Sequence, residues 1–347
     1  MAFVKFKKIR FSSSVKEEEL KNIPGYYPGD DPFSGYIEEN SLSGLNRDVY
    51  ELFEMDPSVD NPPVKLENAS FFKPFERFSL KNKLNYFGND PTIFISVCFC
   101  ILFGLMFGDI GQGLILLVIG LLSKKKDNRI FVSLSVFSIF FGFVYGSFFG
   151  NEELLPELLS ETSVGNICFG LLEREHTLVL LQIAALVGAL MILGSIVFNV
   201  INHVKNNTLK KVFFANNGIA GLVTYGSIVI CSLITYFVGF NLPTIIIGFI
   251  LLALGNVMLF KYENSLKYNW ESVVGFASSI MNFLLVGCFA LVHATLMYVV
   301  YHIAAKCGFM KYPIIVLGNI FVIALESEEV FHQSGHLVFD VLMKYID

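Results

Sequence analysis

Ionisable side chains are scarce inside the apolar stretches of this 347-residue chain, and those present are of the types that move protons or ions. They are Asp109, Glu271, His293, and a cluster of Glu326-Ser327-Glu328-Glu329 with His332, His336 and Asp340. Carboxylate and imidazole can exchange a proton near neutral pH, because histidine titrates close to it. A charge at the centre of a membrane helix costs at least about 2.5–3.5 kcal/mol and usually faces protein or water. Each residue also has an ordinary role. Asp109, within Gly108-Asp109-Ile110-Gly111-Gln112-Gly113, can cap a helix or sit in a solvated turn. Glu271 opens a long apolar run, where an N-terminal carboxylate complements the helix dipole. His293, within Ala290–Leu296, can be a hydrogen-bonded packing residue.

In the final cluster, Glu328 and His332 stand four residues apart, as do His332 and His336, so each pair shares a helical face. Glu329-x-x-His332 is one half of the arrangement that holds metal in some helical bundles. A single half-site does not make a metal centre, and no metal is expected. The cluster reads as a solvated cytoplasmic helix end or as the acidic wall of an aqueous vestibule. There is no phosphate-binding Gly-x-x-x-x-Gly-Lys-Ser/Thr loop, no Gly-x-Ser-x-Gly elbow and no His-Glu-x-x-His helix. The chain is therefore expected to carry no catalytic site of its own and no cofactor.

The elements that must position these residues follow from composition. Hydrophobic residues make up 54% of the chain and charged ones 16%, against about 25% charged in an average soluble domain. Mean hydropathy is +0.60. Residues 1–89 hold 26 of the charged residues, leaving 29 for the other 258. That asymmetry excludes a single soluble globular domain and predicts an all-α polytopic membrane protein with a short, irregular cytoplasmic N-terminal segment (1–89) before a membrane domain (90–347). The Gly29-Asp30-Asp31-Pro32 turn and Pro62-Pro63 are the loop signals of the first segment. No basic, aromatic-interleaved stripe is present, so no nucleic-acid partner is expected. The six cysteines lack zinc-type spacing and read as buried packing residues.

A membrane helix needs roughly 20 apolar residues. The run from Thr92 to Leu122 is too long for one span and breaks at Gly108–Gly113, which predicts a tight hairpin. Further runs lie at 130–150, 177–202, 218–240, 243–261, 273–305 and 312–343, giving eight transmembrane helices, the last two long enough to tilt. Lys and Arg gather at 124–129, 205, 210, 211, 261 and 267, opposite the acidic 151–173 loop. The positive-inside rule then sets both termini in the cytoplasm of a multi-pass integral membrane protein. That placement makes the Asn206-Asn207-Thr208 sequon a chance match.

Several motifs together are familiar: Pro62-Pro63-Val64-Lys65-Leu66, Lys73-Pro74-Phe75-Glu76, Asp90-Pro91-Thr92 and Phe103-Gly104-Leu105-Met106-Phe107-Gly108-Asp109-Ile110-Gly111-Gln112-Gly113. They closely resemble the membrane half of the large stator subunit of V-type and archaeal A-type rotary ATPases, subunit a or, in prokaryotes, subunit I. Gly142–Gly150 is similar to that family's third-span motif, with Ser147 where Glu is common, and Phe213–Gly221 to the start of its fifth span. The resemblance implies eight spans. It also implies two long C-terminal helices beside a ring of proteolipid subunits (c or K), with two aqueous half-channels serving a mid-membrane carboxylate on the ring.

By that resemblance, Glu271, His293, Glu326, Glu329, His332 and His336 are half-channel candidates for protons or sodium ions, and Gly108, Asp109, Gly111, Gln112 and Gly113 form the family hairpin. The family also places an arginine between the half-channels, since only Arg stays charged under desolvation. Aligning Glu271 and His293 puts that position at Leu285, and a second family arginine falls near Glu329. No arginine follows Arg174. The family's cytoplasmic arm has no counterpart in residues 1–89, so a separate chain is expected to supply it, alongside the ring, other stator subunits and lipid. Three roles follow: a divergent ion-passing stator, a paralogue that keeps the fold as a structural or regulatory part without transport, or an unrelated use of the fold as a membrane scaffold or transporter.

Overall fold

The computed structural model describes residues 4–11, 23–28, 34–44, 50–53, 55, 62–81, 88–124, 126–151, 177–205, 209–239, 242–263 and 266–346. The turn at Gly29–Pro32, nearly all of the acidic 151–173 loop, Cys168 and the Asn206 sequon lie outside them. The chain divides into two compact units, Met1–Ile93 and Phe94–Asp347.

In the first unit, β1 (Phe6–Phe11), β2 (Tyr26–Pro28), β3 (Ser34–Glu38) and β4 (Tyr50–Phe53) form an antiparallel sheet of order β2-β3-β1-β4. Lys7 stands opposite Ile37 and Ile9 opposite both Gly35 and Leu52. Phe6 and Tyr36 point to one face and cluster with Val4, Tyr27 and Met55. Ile9 and Ile37 are buried on the other face. This corrects the expectation of an irregular segment, and the all-α description holds only for the second unit. The physical reason is that the central strands, β1 and β3, bury both faces. Phe6 and Ile9 are three residues apart, so the period-2 alternation that marks a half-buried strand is missing.

Helix α1 (Lys73–Lys81) follows, with Pro74 in its first turn, where its missing N–H is no loss. Glu76 accepts the Asn68 backbone N–H at 2.7 Å, and Asp90 accepts from Asn68 Nδ2 at 2.9 Å and from Thr92 N–H at 2.9 Å. The Asp-Pro-Thr motif thereby starts the first apolar helix.

The second unit is helical throughout its described residues, apart from a Phe148–Asn151 bridge. Helices α2 (Thr92–Met106), α3 (Ile110–Leu122), α4 (Ile130–Tyr145), α5 (Thr177–Lys205), α6 (Leu209–Phe214), α7 (Ile219–Val238), α8 (Leu242–Glu263), α9 (Leu266–Lys306) and α10 (Lys311–His336) occupy the apolar runs. A π-helical turn, Leu337–Leu342, carries the end of α10 onward. Four stretches are long and apolar enough to cross a membrane: Thr177–Lys205, Val212–Thr235, Trp270–Lys306 and Gly308–Tyr345. Four apolar helices are shorter: Thr92–Met106, Ile110–Leu122, Ile130–Tyr145 and Ile246–Lys261. At 41 residues, α9 is about 60 Å long, roughly twice the thickness of a bilayer's hydrocarbon core.

Hydroxyls inside these helices mostly satisfy themselves. Ser195, Thr224, Ser279 and Thr295 each donate to the carbonyl one turn earlier on the same helix, as a water-free surround requires. Two that reach elsewhere, Ser138 and Ser147, bond to the α2–α3 hairpin.

Candidate functional site

Helix α2 ends at Met106 and α3 begins at Ile110, so only three residues turn the chain. Asp109 is the N-cap of α3, in extended backbone conformation, and accepts the Gln112 N–H at 2.8 Å. Its carboxylate is fully buried, not solvated. It also accepts from Ser147 Oγ at 2.6 Å, Phe149 N–H at 3.1 Å and Gly150 N–H at 2.6 Å. The cap reading of Asp109 therefore holds and the solvated-turn reading does not. Four donors and the positive end of α3 compensate the charge.

The loop that supplies these donors is shaped by glycine. Gly146 ends α4 in the left-handed conformation at φ +75°. At Gly142, a Cβ would come within 2.5 Å of the Ile110 nitrogen and 2.7 Å of the Asp109 carbonyl carbon, so only glycine lets α4 press against the hairpin backbone. Phe149 holds φ +52°, unusual for a bulky residue. Its N–H is taken by Asp109, and its carbonyl accepts from Tyr301 of α9 at 3.1 Å. Ser138 donates to the Phe107 carbonyl at 2.6 Å and Tyr145 to the Leu105 carbonyl at 2.8 Å, fastening α4 to the end of α2.

Gln112, one turn into α3, carries the network onward to the last two helices. Its Nε2 donates to Asn319 Oδ1 of α10 at 3.0 Å and lies 3.3 Å from Met297 Sδ of α9. One turn along α9 from Met297, His293 shares a 2.5 Å hydrogen bond, Nδ1 to Oε2, with Glu326 of α10. This pair is buried, at 3% and 9% exposure. Phe107 of the hairpin turns its ring edge toward the His293 ring at 5.3 Å between centroids. A buried polar seam thus joins the glycine-rich hairpin to α9 and α10.

Of the residues singled out from sequence, Asp109, Gln112, His293 and Glu326 meet along this seam. Gly108, Gly111 and Gly113 are buried at the hairpin, packed against Tyr145, Phe149 and Ser138–Ile139 respectively. The other candidates do not join them. Glu271 is exposed and lies six residues into α9, which starts at Leu266, so it is no first-turn carboxylate complementing the dipole. Glu328, Glu329, His332 and His336 are exposed on α10, where His336 reaches Asp340 at 3.9 Å. Leu285, at the position of the family arginine, is 45% exposed on the outer side of α9.

Asn319, Met297 and Tyr301 were not anticipated. A lone asparagine two turns from Glu326 on the same helix face was the available signal for Asn319. Among the described residues, no three or more His, Cys, Asp or Glu side chains gather closely enough to hold a metal ion, and Cys98, Cys100, Cys231, Cys288 and Cys307 are free thiols.

Four apolar stretches of membrane-crossing length, two of them tied to the short α3 by a polar seam, define a polytopic helical membrane protein. No family profile matches the chain. Individual relatives do. V-type ATP synthase subunit I 2 of Treponema pallidum is 31% identical over 179 residues, 45% of this chain and 39% of the relative. A-type ATP synthase subunit I of Methanothermobacter thermautotrophicus is 25% identical over 316 residues, 84% of this chain and 44% of the relative. The Archaeoglobus fulgidus subunit I is 41% identical over 98 residues, 26% of this chain and 14% of the relative. The chain is thus similar, along most of its length, to subunit I of V-type and A-type ATP synthases. The chain spans less than half the length of each of the three.

Proposed function

We propose that this chain is a stator subunit in the membrane sector of a rotary ATPase, crossing the bilayer eight times with residues 1–89 and both termini on the cytoplasmic side. In this reading α9 and α10 flank a proteolipid ring, and other stator subunits share the assembly. The observation that carries the reading is the division of labour on the last two helices. Their buried polar groups, the His293–Glu326 pair and Asn319, face the hairpin. The outer side of α9 presents Met281, Leu285, Val292, Val299 and Ile303, exposed apolar residues at spacings that repeat along one helix face. Such a stripe suits a helical partner or lipid and not water.

Protons or sodium ions would reach the ring through His293 and Glu326 within the seam, with Glu271 at one end of α9 and Glu329, His332 and His336 along α10 serving the aqueous mouths. One observation favours the second reading, a structural or regulatory paralogue that holds the ring without passing ions. Leu285 sits exposed among apolar neighbours, and no arginine exists downstream to replace the missing cation. Leucine cannot stabilise an ionised ring carboxylate.

Purification in native lipids tests the common part: a proteolipid ring co-isolating with the chain is expected, and its absence sinks both readings. Reconstituted vesicles separate them. Ion flux in the native protein that is lost in His293→Ala supports translocation. Flux that appears only in Leu285→Arg supports the paralogue.

A further inference from the structure

Among the buried side-chain polar atoms of the hairpin, one is unmatched. Gln112 is fully buried, its Nε2 is committed to Asn319 and Met297, and its Oε1 has no hydrogen-bond partner. A buried carbonyl left unmatched costs about 1–3 kcal/mol, and native proteins normally meet that demand with an ordered water. The surroundings suit a water. Asn319 Oδ1 accepts one bond from Gln112 and keeps a second lone pair. Met297 Sδ offers a weak acceptor at the same place. They do not suit a bare cation. Both carboxylates of the seam are committed, Asp109 to four donors and Glu326 Oε2 to His293, which leaves neutral amide oxygens and a thioether.

We propose that an internal water molecule occupies the junction of α3, α9 and α10, donating to Gln112 Oε1 and bridging toward Asn319. The site sits one helical turn along α9 from His293 and two turns along α10 from Glu326, so it extends the polar seam from the hairpin toward the buried pair. Gln112 is then a hydration ligand as well as a family hairpin residue. The water site rests on the hairpin geometry and is independent of the ring-facing reading.

Radiolytic hydroxyl-radical footprinting of the full chain in lipid nanodiscs tests it, because radicals born on a bound water oxidise the nearest thioether. Met297 and Met106 are both fully buried, whereas Met310, in the turn between α9 and α10, is exposed at 51%. Met297 is expected to oxidise at a rate near that of Met310, with Met106 far slower. Gln112→Leu is expected to slow Met297 about tenfold, the occupancy lost with one hydrogen bond of about 1.4 kcal/mol. Asn319→Leu, which keeps the hairpin residue in place, is expected to slow it similarly. Met297 as slow as Met106 in the native protein overturns the site. So does a fast Met297 that neither substitution slows while Met106 stays protected.

Discussion

Asp109→Asn is the sharpest test of the hairpin, because it preserves shape and changes only what the side chain can accept. The carboxylate takes two donors on each oxygen: Gln112 N–H and Phe149 N–H on Oδ1, Ser147 Oγ and Gly150 N–H on Oδ2. An amide must turn its NH2 toward one of these pairs. Facing Oδ2's partners is the cheaper choice, since the Ser147 hydroxyl can rotate and accept while the Gly150 N–H is left without an acceptor. The opposite choice strands two backbone donors. One unmatched donor costs about 1–3 kcal/mol, and the loss of charge assistance in the two surviving bonds adds about 1 kcal/mol.

A total near 2–4 kcal/mol lowers the unfolding midpoint of a unit this size by about 5–15 °C. Cys98 and Cys100 on α2 are buried free thiols, so a fluorogenic maleimide added during heating reports when the first arm of the hairpin lets go. Exposed Cys307, just past the end of α9, reacts from the start and sets the baseline. Ser147→Ala, which removes one donor of four, should shift the midpoint by a smaller amount. If Asp109→Asn moves it by less than about 2 °C, well under the shift one such bond implies, the four contacts do not hold the hairpin as described.

The His293–Glu326 pair predicts strong coupling. Breaking a buried pair from one side costs about 3–5 kcal/mol, so His293→Ala and Glu326→Ala should each destabilise, while the double variant falls well short of their sum in the same thermal assay. Gly142→Ala should lower expression or the thermal midpoint more than Gly335→Ala. A Cβ at 142 meets hairpin backbone at 2.5 Å, whereas at 335 the nearest atom lies 3.8 Å away. In the first unit, the Lys65 ammonium donates to Glu38 at 2.7 Å, and that bond raises the lysine pKa above its ordinary value. A raised lysine pKa contributes stability below the unfolded value of about 10.4, and the contribution fades as pH climbs through the folded value. The pair is exposed, so the effect is under about 1 kcal/mol. It should appear as a slightly steeper alkaline loss of stability in the native protein than in Glu38→Gln.

What could be read from the sequence divides along physical lines. The apolar runs announce their helices because burial of a continuous hydrophobic surface dominates membrane folding and leaves its mark residue by residue. The hairpin was legible too, since few chemistries tolerate Gly-Asp-x-Gly-Gln-Gly between two apolar runs. The sheet of residues 6–53 was not, because its strands are short and the central ones, β1 and β3, bury both faces. The seam was half legible. His293 and Glu326 stood out as ionisable groups in apolar helices, but their partnership depends on how α9 folds back against α10, which no local pattern encodes. Glu326 and Glu329 look alike in sequence, and the 300° between them on a helical wheel sends one into the seam and the other outward. That difference matters for function. The acidic side chain beside the family's second arginine position is the exposed one, while the one that is buried is held by histidine. The chain has therefore compensated the carboxylate it keeps inside and left Leu285 uncompensating on the outside, so any ion it passes must depend on a positive charge that its own last two helices do not place at that position.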